Sequence, residues 1–442
     1  MPFFLRSIFS SLIRVLLLVG LSAGLYSADS HARDDSDRLS PKDRIRLFEQ
    51  VWQLINEKYY DPSFNGTDWK MVRERYRPKL ADIGSDDQLY GVLKELTGEL
   101  HDAHTRFRSP QERRRSDKLQ ATSPGIGIGE VEGFPVVITV EPRSEAAQAG
   151  VEPGMAVTSV DGAPFRDRLA RALEETGNSS SERATALLSY DYIFAGEPES
   201  KIQLKLRRED GTTFDVTLSR HVVALAPRVA MRMLPSGYAY LKFGIFNGAV
   251  ARQVNEALSK IKHSPGVILD LRGNPGGDFD GMLQIASDFF PERVSFGQVI
   301  SRSGKKPSLM LRILGVPSHL EVGSSVEQAY SGPLVVLVNN GSGSSAELFA
   351  AGMKENRRAA IVGRQTCGCV LASIGHRVKG GGELDISEFA IVTGKGHKLE
   401  GMGVIPDVTV PLTLDDLRNH RDAALEEAVV ILNKSVAHSR SW

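Results

Sequence analysis

Five consecutive aliphatic residues, Leu334 to Val338, lie between Gly332-Pro333 and the polar run Asn339-Asn340-Gly341-Ser342-Gly343-Ser344-Ser345, after which Leu348-Phe349-Ala350-Ala351-Gly352-Met353 resume the apolar character. An apolar run of that length bounded by turn residues predicts a buried strand. Ser344 with Glu347 three residues on has capping-box spacing, so the polar run predicts a tight turn into a helix. Upstream, Ile45, Phe48, Val51, Trp52 and Ile55 recur at helical spacing, a turn spans Asp61 to Gly66, and Leu93, Leu96 and Leu100 share a face, which predicts a head of amphipathic helices. Strand-like runs at Pro135 to Val140, Ile202 to Leu206 and Thr213 to Leu218, with a short helix at Ser144 to Ala149, predict a small β-rich module over Pro124 to Arg220. Inside it, Phe165 to Phe194 carries Leu169, Leu173, Leu187, Leu188 and Tyr192 in a partly helical pattern. From Gly237, strands (Tyr238 to Phe243, Val267 to Leu271) alternate with helices (Ala249 to Ile261, one through Leu283 to Phe290), an α/β layout.

Composition changes this picture at the N-terminus. Arg6 and Arg14 flank or interrupt an apolar segment ending in Val15 to Leu21, and Ser30-His31-Ala32 offers small residues for cleavage, so residues 1–32 read as a secretory signal and the mature chain is expected to begin near Arg33. The segment is short for a membrane span, and no stable insertion is expected after cleavage. In 442 residues Lys+Arg and Asp+Glu balance at 54 each, with no basic stripe interleaved with aromatics, which argues against nucleic-acid binding. The two cysteines, Cys367 and Cys369, are one residue apart; a disulfide so small is strained and a free or redox-labile pair is equally consistent. Two thiols followed only by His376 make no zinc pattern, so neither metal nor cofactor is expected.

A serine at a helix start sits among free N–H groups and the positive end of the helix dipole, where a developing oxyanion is stabilised. The same residue also suits a plain cap. His101 and His104 flank a turn after the helical head, and alone either reads as an ordinary surface histidine.

Two resemblances organise these features. Gly125-Ile126-Gly127-Ile128-Gly129, the strand to Val140, Ser144 to Gly154 and Val160-Asp161-Gly162 resemble a PDZ domain, which implies that N–H groups of Gly125, Ile126, Gly127 and Ile128 receive a peptide carboxylate while the peptide adds as a strand. Met155, where Asp is common, and the long 165–194 connection depart from that pattern and leave a closed groove as the alternative. Asp270 to Gly277 (DLRGNPGG), the Ser344 turn, Gly363 to Thr366 and Gly403 to Asp407 occur in the order found in carboxyl-terminal processing (tail-specific) serine peptidases. That resemblance implies a crotonase-like core of ββα units with an inserted PDZ domain and an N-terminal helical domain: signal 1–32, helical domain 33–118, PDZ 119–221, core 222–418 and C-terminal helix 419–442. Those peptidases use a serine with a lysine 25 residues later, and here that position is Cys369. The tricorn-like branch, which this chain resembles here, uses histidine and a downstream glutamate. Matched residue by residue, it implies Ser344 as nucleophile, His104 as base, Glu400 as its orienting acid, and N–H groups of Gly276 and Ser345 as the oxyanion hole; tricorn's accompanying serine is Ala103. The expectation is an exported, periplasmic or secreted endopeptidase acting on protein or peptide tails, with oligomeric state open. The alternative is an inactive peptide- or ligand-binding pseudoprotease on the same scaffold.

Overall fold

The computed structural model describes residues 39–439 apart from 119, 225–227, 303, 305–316 and 325–328, so the segment read as a signal lies outside the described residues. The head contains α1 (Pro41–Lys58), α2 (Trp69–Tyr76) and α3 (Asp86–Gly98). Ser40 accepts the Asp43 N–H and Ser85 with Gln88 forms a capping box, satisfying helix-end donors that have no partner inside the helix. The buried stripe of α1 keeps Phe48, Val51 and Ile55 of the predicted one, with Trp52 packed against it, and has Leu47 in place of Ile45. Leu47, Phe48, Val51 and Ile55 share a core with Leu89, Leu93 and Leu96, whereas Ile45 is 41% exposed. Val378, Leu384 and Ile386, from far along the chain, complete that core.

After β1 (Arg106–Arg108) and α4 (Pro110–Asp117) comes the middle module. Its elements are β2 (Gln120–Ser123), β3 (Ile126–Val131), β4 (Phe134–Val140), α5 (Glu145–Gln148), β5 (Ala156–Val160), β6 (Ala163–Pro164), α6 (Phe165–Thr176), α7 (Glu182–Phe194), β7 (Lys201–Arg207), β8 (Thr213–Ser219) and β9 (His221–Ala224). The sheet order is β3-β4-β5-β7-β8 with β6 on β5, while β2 pairs β9. The predicted insertion is two helices that contribute Phe165, Ala172, Tyr190 and Ile193 to the module's core. Leu173, Leu188 and Tyr192, read from the sequence as its apolar face, are exposed instead.

The last half comprises β10 (Val229–Met233), β11 (Ala239–Phe243), α8 (Gly248–Lys260), β12 (Val267–Asp270), α9 (Phe279–Ser287), β13 (Val294–Ser301), β14 (His319–Val322), β15 (Leu334–Val338), α10 (Ser345–Glu355), β16 (Ala360–Gly363), β17 (Leu371–Arg377), β18 (Glu383–Thr393), β19 (Val408–Thr409), α11 (Leu414–Arg418) and α12 (Ala423–Ser439). One sheet runs β10-β11-β12-β15-β16-β19, parallel from β11 onward. Its central strands are apolar at nearly every position because both faces are covered. Leu269 and Val336 pack with α8, α9 and α10, whereas Ile268, Val335 and Leu337 pack with Ala428 and Leu432 of α12. A second, antiparallel sheet runs β1-β18-β13-β14 with β17 on β18. Helix α10 lies in the core that joins the two sheets, buried from Ser345 through Met353. Gly352 is required there, since a Cβ would come within 2.4 Å of the Phe296 ring. Among the described residues no helix is long and apolar enough to cross a membrane.

Candidate active site

Loops leaving the ends of β12, β15 and β16 meet, the crevice at strand carboxyl ends where open α/β sheets bind ligands. Asn339 Oδ1 accepts N–H bonds from Gly273 (2.9 Å) and Gly341 (3.0 Å), and Ser342 Oγ donates to the Leu271 carbonyl (2.7 Å). From the third loop, Cys367 N–H donates to the Ser342 carbonyl (3.0 Å), and Ser344 N–H to that of Cys369 (2.9 Å). Ser344 itself sits at φ 53°, ψ −120°, a left-handed backbone rare for a side-chain-bearing residue and held only because its surroundings over-determine it. The capping glutamate does more than cap. Glu347, fully buried, accepts the Ser344 N–H (3.1 Å), the Thr366 hydroxyl (2.5 Å) and the N–H groups of Gly368 (2.7 Å) and Cys369 (2.8 Å). Burial holds its carboxyl above the ordinary range against the pull of those bonds.

Gly276 lies against the serine: a Cβ there would be 2.7 Å from Ser344 Cβ and 2.9 Å from Ser345 N, and its φ of 106° also favours glycine. Its N–H is not idle, however, but donates to Asn274 Oδ1 at 2.9 Å. Ser345 occupies the first position of α10, where the helix supplies its N–H no acceptor, and its hydroxyl donates to the Gly277 carbonyl (2.7 Å).

Cys367 and Cys369 are joined as a disulfide. The Cys369 sulfur therefore carries no proton and is no base. With Glu347 these sulfurs form a cluster at metal-binding separation, yet both are bonded to each other and the Glu347 oxygens are spent on four donors, so the set offers a cation no vacant ligand.

His104 lies on the turn before β1. Asp102 Oδ1 builds that turn by accepting the N–H groups of His104 and Thr105 (2.7 Å each) and the Ser387 hydroxyl from β18 (2.9 Å). Burial holds the His104 pKa below its ordinary value, opposed by the Asp102 charge. Ala103 packs with Ala184, Cys367 and Cys369, and its N–H donates to Ser180 Oγ at 2.9 Å. Glu400 accepts the Val370 N–H (2.5 Å), and Ser180 is its other hydrogen-bonding neighbour. Burial pushes its carboxyl up to about 8, and the charges of Asp102 and Glu347 push the same way. The segments carrying Ser344, His104 and Glu400 thus share the Cys367–Val370 loop, but no hydrogen bond among the described residues joins the three side chains. Sequence reading missed Asp102, Ser180 and Arg183. Arg183 donates to the carbonyls of Thr366 (2.6 Å) and Met402 (2.7 Å), and Ser181 to that of Cys367, so the loop before α7 is tied to the serine's surroundings. Residues 165–194 are polar along much of their length, so nothing in the sequence set Ser180 or Arg183 apart.

The Glu400 shift has a measurable consequence. A carboxyl whose folded pKa lies above its unfolded value binds its proton more tightly when folded, so stability declines as pH rises from about 4.5 to about 8, by roughly 1.4 kcal/mol per unit at most. Denaturation at pH 5 and pH 8 should show the wild type losing stability relative to Glu400→Gln over that interval; parallel losses would rule this out.

Residues 237–410 match peptidase family S41, and residues 40–98 match the tricorn protease C1 domain. The chain thus carries a peptidase family S41 domain, which supports a serine-type peptidase hydrolase. The carboxyl-terminal-processing protease of Synechocystis sp. is 26% identical over 417 residues, covering 89% of this chain and 87% of that one. The chloroplastic C-terminal processing peptidase of Tetradesmus obliquus is 28% identical over 377 residues, covering 82% and 76%. Among solved structures, the photosystem II D1 C-terminal processing protease shares the fold with a TM-score of 0.59 at 24% identity, covering 88% of this chain and 97% of that one.

Proposed function

We propose that this protein is an exported serine endopeptidase that cleaves unstructured or carboxyl-terminal protein segments through an acyl-enzyme, on a crotonase-like core, with Ser344 as nucleophile and His104 as general base. The observation that carries the proposal is Ser344 itself, in a strained conformation at the start of a buried helix with Gly276 packed on its Cβ. A plain cap needs no such backbone. Histidine suits the base role because a pKa near neutrality lets it take the serine proton and return it to the leaving amine. Ser345 and Gly276 N–H groups receive the oxyanion, Gly276 exchanging its Asn274 acceptor for the stronger charged one as the tetrahedral intermediate forms. Glu400, held protonated, fixes Val370 and with it the loop beneath the serine. A serine-directed phosphonate should label the protein at Ser344 and fail to label Ser344→Ala. Absence of labelling in the folded wild type would favour the binding-protein alternative, for which the missing lysine speaks.

The middle module is, in this reading, a PDZ domain. Gly125 precedes β3 and Ile126 to Ile128 form its first residues; β3 is an edge strand with no neighbour on its outer side in its sheet, and a cleft of about 520 Å³ between Glu130 and Tyr190 runs alongside α7. A peptide with an apolar last residue should bind there as the free acid more tightly than as the amide. Equal affinities in calorimetry would mean that the groove is not a carboxylate site.

A further inference from the structure

Two buried polar atoms on the turn that holds the base have no partner: Asp102 Oδ2 and His104 Nδ1. Unpaired buried polar atoms are rare and each is costly, so a pair on one turn, two residues apart, calls for an explanation. Building on the reading of His104 as the base, we infer that Asp102, not Glu400, is the carboxylate that orients the imidazole, accepting the His104 Nδ1–H on Oδ2. Asp102 is therefore a positioning residue. Its carboxylate is already fixed, because Oδ1 receives the two turn N–H groups and the Ser387 hydroxyl, which leaves Oδ2 as the acceptor with capacity to spare.

The other groups around the imidazole do not fill this place. Asp385 on β18 is spent on Arg106 (3.3 Å) and Arg108 (2.7 Å), and Arg106 repels an imidazolium. Tyr59, just past α1, accepts from Asn65 Nδ2 (2.9 Å) and is itself a hydrogen-bonding neighbour of Asp102, but a carboxylate oxygen accepts a second donor beside a hydroxyl; Tyr60 also feels the Asp102 and Glu400 charges. Glu400 is engaged by Val370 N–H and Ser180, and an acid holding its proton to about pH 8 does not stabilise an imidazolium. With Nδ1–H tied to Asp102, Nε2 is left free to accept the serine proton.

Asp102→Asn is the decisive variant because the amide oxygen keeps the Oδ1 bonds while the amino group replaces Oδ2 as a donor. In protein labelled with ¹⁵N at its ten histidines, with the His104 signals assigned by their loss in His104→Ala, Asp102→Asn should move the Nδ1 resonance from protonated to unprotonated position, and Glu400→Gln should leave it in place. In turnover, Asp102→Asn should lower kcat/KM by about 10²-fold or more. It should also move the acid limb of its pH profile to lower pH by about one unit or more, since the imidazolium loses its only uncompensated negative neighbour. If Asp102→Asn leaves Nδ1 unchanged, or Glu400→Gln moves it instead, the inference is overturned. A fully active His104→Ala would sink the base assignment separately, since the resonance reports the Asp102–His104 pair without any turnover.

Discussion

Ser344→Ala should hydrolyse an unstructured polypeptide at least about 10³-fold more slowly than the wild type, and His104→Ala should fall to the same floor. The two losses converge because nucleophile and base act as one unit: an imidazole with no serine to deprotonate is idle, and a serine hydroxyl without a base is a weak nucleophile. What survives is the oxyanion site and substrate binding, and for that reason both variants should retain peptide affinity. Cys369 gives no competing base, being bonded to Cys367, and its contributions to the site are the backbone groups that meet Ser344 and Glu347. Steady-state rates on an unfolded substrate decide the matter. Full activity in His104→Ala, or a lysine such as Lys395 proving essential, would replace this assignment.

Glu347→Ala should be the most destabilising single change in the core. It strands three donors at once, those of Thr366, Gly368 and Cys369, where water does not reach, and leaves the Ser344 N–H with the Cys369 carbonyl alone. Each unsatisfied buried donor costs about 1–3 kcal/mol, so even partial relaxation leaves a loss of about 4 kcal/mol or more from a total stability of roughly 5–15. Glu347→Gln should lie between, since one carboxamide oxygen keeps half of the acceptors. Melting followed by near-ultraviolet circular dichroism, together with phosphonate labelling, should show Glu347→Ala losing both its transition temperature and its reactive serine. Melting alongside the wild type would show that the three donors find water and that the hub is dispensable.

Much of the scaffold was legible because it rests on local patterns. The apolar run at Leu334 to Val338 and the Ser/Glu spacing after it read directly as β15 and the start of α10, and the leucines of α3 lie buried as their spacing requires. On α1 only Ile45 was misplaced, because Ile45 and Leu47 are equally apolar and only the neighbouring helix chooses between them. Around the serine, the reading reached the residue types but not their partners. Glu347 looked like one half of a cap because its further donors come from a loop about twenty residues on with no periodicity to announce it. Asp102 and Ser180 were invisible for a similar reason: their work is to accept hydrogen bonds from groups that sequence cannot bring near. The cysteine pairing was undecidable from spacing alone.

The turn carrying His104 is fastened by Ser387, and the head beside it finishes its core with Val378, Leu384 and Ile386. Arg272, at the mouth of the serine's loops, is clamped between Asp270 and Asp422, at the threshold of the last helix. A ribosome releases these pieces in the opposite order from the one the site needs: the base emerges early, the serine 240 residues later, and the strand that fixes the base later still. Until nearly the whole polypeptide has emerged, the nascent protein holds Ser344 and His104, the two groups of the proposed chemistry, without the strands and helix that fix them in place.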